Sequence, residues 1–254
     1  MNNGELLKQL HADPALLVLV NVWDVISARV VADLPGCKAI ATASHSIAAS
    51  AGYPDGEVIP REEMLAAVAR IVDAVELPVT ADLEAGYGDA GETTRRACAI
   101  GVVGMNLEDQ MKPFDEAVSA VRAVVAAAAT EGVAFALNAR TDAMLRVGDG
   151  SRADALQEAV RRGRAFLDEG ATCVFVPGVK DKAEIETLVA GLGERSLSLI
   201  AAGGALPLPE LEALGVARVS VGPWSQRLAL TALADAAAGM LAGGSFPDGV
   251  RPLN

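Results

Sequence analysis

The sequence predicts a single (β/α)8 barrel of the TIM type. Three observations carry that expectation. Apolar runs of strand length alternate eight times with segments of helical period along 254 residues. The runs are apolar almost throughout, as strands buried on both faces are. The charged residues that interrupt them gather at the C-terminal ends of the strands, where barrel enzymes place their chemistry. An open doubly wound sheet is the second architecture such alternation allows, but eight units favour closure.

The units follow in order. The first strand lies in LLVLVNV, with its core at 17–22, and leads into VISARVVADL. AIATAS (39–44) is the second, followed by a polar loop and the helical REEMLAAVARIVDAV. PVTADLE (78–84) precedes ETTRRACAIG, and GMNLED (104–109) precedes FDEAVSAVRAVVAAAATEG. FALNART (135–141) precedes SRADALQEAVRRGRAFLDEG, and CVFVPG (173–178) precedes DKAEIETLVAGLG. LSLIAA (197–202) precedes LPELEALGV, and RVSVGP (218–223) precedes WSQRLALTALADAAAGML. Helices open on Glu, Asp or Ser, and several close on Gly, as helix termini require. No linker or fixed repeat divides the chain, so one domain is expected over 1–254, with a loosely structured tail from about 243.

Composition excludes several function classes. A formal net charge of −12 repels nucleic acid phosphates and anionic membrane surfaces. Aromatic residues make up 4%, so Ala, Val and Leu must fill the core. Cys37, Cys98 and Cys173 lack C-x-x-C spacing and are odd in number, which reads as reduced thiols in the cytoplasm. The N-terminal MNNGELLKQLHADP lacks the basic-then-apolar order of a signal peptide. The Ala-rich stretches are too short or too interrupted to span a bilayer. His11 reads as a surface residue, Cys98 and Cys173 as buried ones.

The polar strand ends are the informative part. The second strand ends in Ser44-His45-Ser46, the third in Asp82 and Glu84, the fourth in Glu108 and Asp109, the fifth in Asn138, Arg140 and Asp142. Side chains alternate along a strand, so Asp82 and Glu84 are expected on one face, and Asn138 and Arg140 on one face. Buried carboxylates are costly unless paired or bound to a cation. An oxygen-only donor set with no His or Cys at ligand spacing suits Mg²⁺ or Mn²⁺ better than zinc. The glycines of ADLEAGYGD keep the rim open beside that set. A structural pairing of Arg140 with Glu108 is the plainer alternative. The glycines at 203–204 and 222 fall where many barrels bind phosphate, but neither loop carries Lys or Arg close by in sequence.

The ordered set NVWDVISARVVAD, ATASHSIAASAGYPDG, PVTADLEAGYGD, GMNLEDQ and LNARTDA resembles the isocitrate lyase/phosphoenolpyruvate mutase superfamily, over most of the chain from about Asn21. Its short bacterial members are the nearest in pattern. The resemblance implies a barrel whose last helix is exchanged between subunits of a homodimer or homotetramer. It implies Mg²⁺ and a small anionic 2-oxo acid or enolpyruvate-type substrate. It marks Asp82 as the direct metal ligand, with Glu84 and Glu108 holding the metal mostly through water. Asp55, in GYPDG, is implied as a further acid near the metal. Arg140 is implied to grip the anionic end of the substrate, and Ser44 to hold the substrate carboxylate, with Thr42 and Ser46 as neighbouring alternatives. Trp23, His45 and Asn138 are implied among the substrate-binding residues.

The chain also departs from the pattern. The lyases carry a Cys in a K-K/R-C-G-H loop after the fourth strand, where this chain reads EDQMKPFDE. That segment has neither the Cys nor the length of a gating loop, and the metal motif is D-x-E where many members have D-x-D. The expected activity is therefore a Mg²⁺-dependent lyase that breaks a C–C bond of a small 2-oxo or 2-hydroxy acid through an enolate, as in oxaloacetate decarboxylation. Phosphoenolpyruvate or phosphonopyruvate C–P chemistry is the alternative, and a non-catalytic barrel that binds a 2-oxo acid is the second.

Overall fold

The computed structural model describes residues 1–148 and 150–253. Among them the strands are β1 (Leu17–Leu19), β2 (Asn21–Val22), β3 (Ile40–Thr42), β4 (Val79–Asp82), β5 (Gly104–Glu108), β6 (Ala136–Arg140), β7 (Cys173–Phe175), β8 (Leu197–Ile200) and β9 (Arg218–Ser220). All pair in parallel, in the order β1-β9-β8-β7-β6-β5-β4-β3-β2. β1 and β2 are one strand interrupted at Val20. Its first half pairs with β9 and its second with β3, and that shared strand closes the ring. The result is the expected (β/α)8 barrel, with eight staves.

Helices α1 (Asn3–Ala12), α2 (Val25–Ala32), α3 (Ser44–Ser50), α4 (Arg61–Val72) and α5 (Ala90–Ala99) cover the first half. Helices α6 (Phe114–Thr130), α7 (Arg152–Asp168), α8 (Lys182–Leu192), α9 (Leu208–Ala213) and α10 (Trp224–Leu241) cover the second. Side chains before the helices hold their starts: Asp24, Asp89, Ser151 and Asp181 each accept a first-turn backbone N–H. On α6 the buried residues Ala117, Val121, Val124 and Ala128 recur at helical spacing and face the sheet.

Three local readings are corrected. Ser44–Ser50 is a helix, so β3 stops at Thr42 rather than running to Ser46. Its Ser and Ala residues carry no apolar period, but the Ile47 N–H reaches the Ala43 carbonyl at 3.0 Å and the turn propagates. His11 is buried, not superficial. It lies on α1, whose Asn2 capping box and buried Leu7 and Leu10 seat the helix over the N-terminal end of the barrel. Its Nδ1 donates to the Leu7 carbonyl at 2.8 Å, and burial, aided by the charge of Arg218, lowers its pKa to about 3. Cys173 is buried as expected, but Cys98 is only half-buried.

Gly104 shows how tightly the barrel base is filled. A Cβ there would stand 2.6 Å from the Ala136 carbonyl oxygen and 2.9 Å from a Leu7 methyl. At the other end of the chain, α10 buries only Gln226 and exposes Leu228, Leu230, Leu233 and Leu241. Residues 243–253 form no helix or strand. No helix among the described residues is long and apolar enough to cross a membrane.

Candidate active site

A cavity of about 730 Å³ opens at the C-terminal ends of the strands. Asp55, Asp82, Glu84, Glu108, Arg140, Ser44 and His45 all border it. Residues spread from 44 to 140 in sequence thus meet in one chamber because they end or follow four neighbouring staves, β3 to β6.

Asp82 ends β4 and is held from three sides. The Ser44 hydroxyl and backbone N–H donate to its Oδ2 at 2.7 and 3.1 Å, and Asn106 Nδ2 approaches Oδ1 at 3.4 Å. Its own N–H donates to the Thr42 hydroxyl at 2.9 Å, so Thr42 serves the strand rather than the chamber. Ser46 is fully buried away from the cavity. The start of α3 is what brings Ser44 to Asp82, with two donors on adjacent atoms.

Glu84 does not continue the strand. Its φ is +52°, the left-handed region, and the chain turns there into the Gly-Tyr-Gly segment. It still reaches the chamber, 4% exposed, with Oε1 buried and without a hydrogen-bond partner. Burial first, then the charges of Asp82 and Asp55, push its carboxyl up to about 8. Burial raises Glu108 to about 7, with Arg140 acting against the rise and Asp142 and Asp82 adding to it.

Arg140 ends β6 directly beside Glu108, its partner in strand register. Nη1 pairs with Glu108 Oε2 at 2.8 Å and Nε donates to Asp142 Oδ1 at 2.7 Å. The ring of Phe175 lies 5.9 Å from its guanidinium carbon. Burial alone would weaken its charge, but Glu108, Asp142 and Asp82 more than offset that. The plainer pairing of Arg140 with Glu108 is therefore present, inside the same chamber as the unpaired Glu84.

Other residues sit elsewhere than expected. Asp109 leaves the chamber: its Oδ2 accepts from Arg162 of α7 at 3.1 Å, and its Oδ1 accepts the Asp142 N–H at 3.0 Å. Asn138 lies one layer deeper, buried, donating to Asn106 Oδ1 at 2.8 Å and accepting from the Cys173 thiol at 3.0 Å. Asn106, of the same inward parity on β5 as Glu108, takes its place on the cavity wall. That parity was the available signal. Trp23 faces a separate groove with Ile26, Val30 and Ser225, and the cavity holds Trp224 instead. Arg146 and Arg227 also border the chamber and carried no sequence signal, since each lies several residues past a strand end. Lys180 donates to the Gly203 carbonyl, so a cation does stand near that glycine loop, supplied by the preceding one.

The donor set fits a hard divalent cation. Its donors are oxygens, Glu84 Oε1 lacks a partner, and the neighbouring acids help to raise the carboxyls of Glu84 and Glu108. Among the described residues no three acids form a ready-made cage. Mg²⁺ does not ask for one, since it keeps several waters and takes one or two carboxylates.

The family now follows from comparison with known proteins. The profile of the phosphoenolpyruvate phosphomutase family matches residues 7–241. The chain belongs to this family. A Burkholderia cenocepacia protein provisionally assigned as a phosphonomutase shares 38% identity and a TM-score of 0.86, over 92% of this chain and 98% of that one. The 2,3-dimethylmalate lyase of Eubacterium barkeri is 28% identical over 85% of this chain and 78% of its own. An oxaloacetate decarboxylase of Ectopseudomonas mendocina is 32% identical over 68% of this chain and 61% of its own. Lyases and mutases are thus the company this phosphomutase-family chain keeps, and an enzyme of that kind is what the comparisons support.

Proposed function

We propose that this phosphomutase-family protein is a Mg²⁺-dependent lyase that breaks a C–C bond in a small 2-oxo or 2-hydroxy acid and leaves a pyruvate-type enolate, oxaloacetate decarboxylation being one concrete case. The observation that carries the reading is the meeting of Asp82, Glu84 and Glu108 with Arg140 in one cavity. Asp82 and Glu84 would hold the cation, with Glu108 and Asp55 beside it. Once bound, Mg²⁺ would supply Lewis-acid stabilisation of negative charge on a substrate oxygen. Arg140 has its Nε and Nη1 on Asp142 and Glu108, which fixes the guanidinium plane and leaves Nη2 as the donor to a substrate carboxylate. Ser44 keeps Asp82 in one orientation. His45 borders the same space and can contact the substrate.

C–P chemistry is the second reading, favoured by the 38% identity to the Burkholderia protein. The short segment from 109 to 113, between β5 and α6, counts against it, because little chain is there to cover a reactive intermediate. The exposed apolar face of α10 supports a homodimer or homotetramer in which this helix packs on a second copy. A monomer in sedimentation of the intact chain would contradict that assembly.

The test is product identification. Oxaloacetate, 2,3-dimethylmalate and phosphonopyruvate are each incubated with enzyme and Mg²⁺, and followed by ¹³C and ³¹P NMR. The proposal expects C–C cleavage products from at least one of the first two and an intact phosphonate. Conversion of phosphonopyruvate alone would replace it with the C–P reading.

A further inference from the structure

Arg218 lies inside the barrel, 1% exposed, and no larger side chain among the described residues is fully buried. It stands two positions before Ser220 on β9, so it shares the inward face of that cavity residue, one layer below the floor. Its guanidinium crosses the lumen: Nη2 donates to Asn106 Oδ1 at 3.3 Å, on β5, the stave opposite β9 in the ring. Its register partners are Leu17 and Ser198, and neither carries a charge. Among the described residues it forms no ion pair, and its Nε and Nη1 have no hydrogen-bond partner. Burial pulls its pKa down, with Cys173 and Asp82 acting the other way. Fold stability does not account for such a group. An unpaired buried charge is costly, and an apolar side chain of similar volume commonly serves a core as well or better.

What Arg218 supplies is polarity. A guanidinium only donates, and a carboxylate only accepts. Asn106 stands between Arg218 and Asp82, so its amide has one workable orientation, oxygen toward the arginine and NH2 toward the acid. That is the orientation present, with Asn106 Nδ2 at 3.4 Å from Asp82 Oδ1. A second donor supports it from the side: Asn138 Nδ2 reaches the same Asn106 oxygen at 2.8 Å, and the Cys173 thiol, at 3.0 Å from Asn138 Oδ1, turns Asn138 that way. The contacts at 3.3 and 3.4 Å are long, so the arrangement depends on polarity more than on bond strength. Asp82 is thereby held on both oxygens, Oδ2 by Ser44 and Oδ1 by Asn106.

We propose that Arg218 is a positioning residue of the chamber: it locks the Asn106 amide with its NH2 toward Asp82, and Asn106 in turn fixes the Asp82 carboxylate for the cation. The inference rests on the reading of Asp82 as the metal ligand. The lock has a sign that a bare charge does not share. A positive charge below the floor repels a cation above it, so charge alone makes its removal tighten metal binding. The lock makes its removal weaken binding, because one neutral donor, Asn138, is then left to hold the amide.

The test is titration of the full chain with Mn²⁺, which takes the same oxygen donors, with free Mn²⁺ read by electron paramagnetic resonance. Arg218→Met and Asn106→Leu are each expected to weaken binding about tenfold, the scale of one charge-assisted contact. The double variant should bind no more weakly than Asn106→Leu, because Arg218 acts through Asn106. A merely structural arginine would lower the urea midpoint and leave the Mn²⁺ affinity where it was. Unchanged or tighter binding in either single variant overturns the proposal, as do losses that add in the double variant. If Arg218→Met does not fold, neutron diffraction from the wild type decides. Hydrogens on the Asn106 atom that faces Asp82 support the lock, and their absence there overturns it. Mn²⁺ bound alike by the wild type and Asp82→Ala, or by neither, overturns the metal reading of Asp82 and the proposal with it.

Discussion

Asp82 ends a strand and Glu84 does not, yet both reach the chamber. Alternation along a strand placed them on one face, and Asp82 obeys that rule. Glu84 arrives by a left-handed turn instead, so the meeting of the two at the chamber was legible for a partly wrong reason. Glu108 and Arg140 were legible outright, because charges at the ends of apolar strands have few other uses in a barrel. Asn138 was not: choosing between two asparagines that are register partners on adjacent strands needs the depth of each, which the barrel's stagger sets and local sequence does not. Asp142 illustrates the finer grain. It accepts from Arg140 and is itself fixed through Asp109, so Asp142→Asn should loosen the guanidinium without removing it. Steady-state kinetics on any accepted substrate should show KM rising about tenfold, the scale of one charge-assisted contact, with kcat changed less. An unchanged KM would mean that Glu108 alone orients Arg140.

The elements were easier to read than their caps. Every strand core lay in an apolar run, whereas α1 and α3 went unread, α3 because Ser and Ala give no apolar period. The helices also do more than cover the sheet. Arg162 sends its guanidinium from α7 inward to Asp109, and both side chains are nearly inaccessible. Breaking a buried pair leaves an uncompensated charge, which typically costs about 3–5 kcal/mol. Arg162→Met is therefore expected to lower stability by about that amount in urea unfolding, and Asp109→Asn in the same chain should recover part of the loss. If Arg162→Met is neutral, the pair is not the strut that joins α7 to the site.

At the scale of the molecule, the acidic chamber makes stability depend on pH and metal together. The folded protein holds protons on Glu84 and Glu108 up to about pH 8 and 7, whereas an unfolded carboxylate releases them near its ordinary value of 4.5. Between those limits the folded state binds more protons, so its stability falls as pH rises from about 4.5 to 8 and levels off above. Thermal melts in chelator should show that decline, Mg²⁺ should cancel most of it by replacing the protons, and Glu84→Gln should flatten it. A chelated protein whose melting temperature rises over that window would contradict the electrostatic picture. Closure of the ring by an interrupted first strand belongs to this scale too. No local pattern encodes it, since it arises only when the eighth stave meets the first.

The most direct measurement is pyruvate release from oxaloacetate by metal-stripped protein, before and after Mg²⁺ is restored, beside Asp82→Ala treated the same way. The account predicts turnover above the metal-only background that appears with Mg²⁺, disappears with chelator and is absent from the variant. Turnover that survives both the chelator and the loss of Asp82 would contradict it.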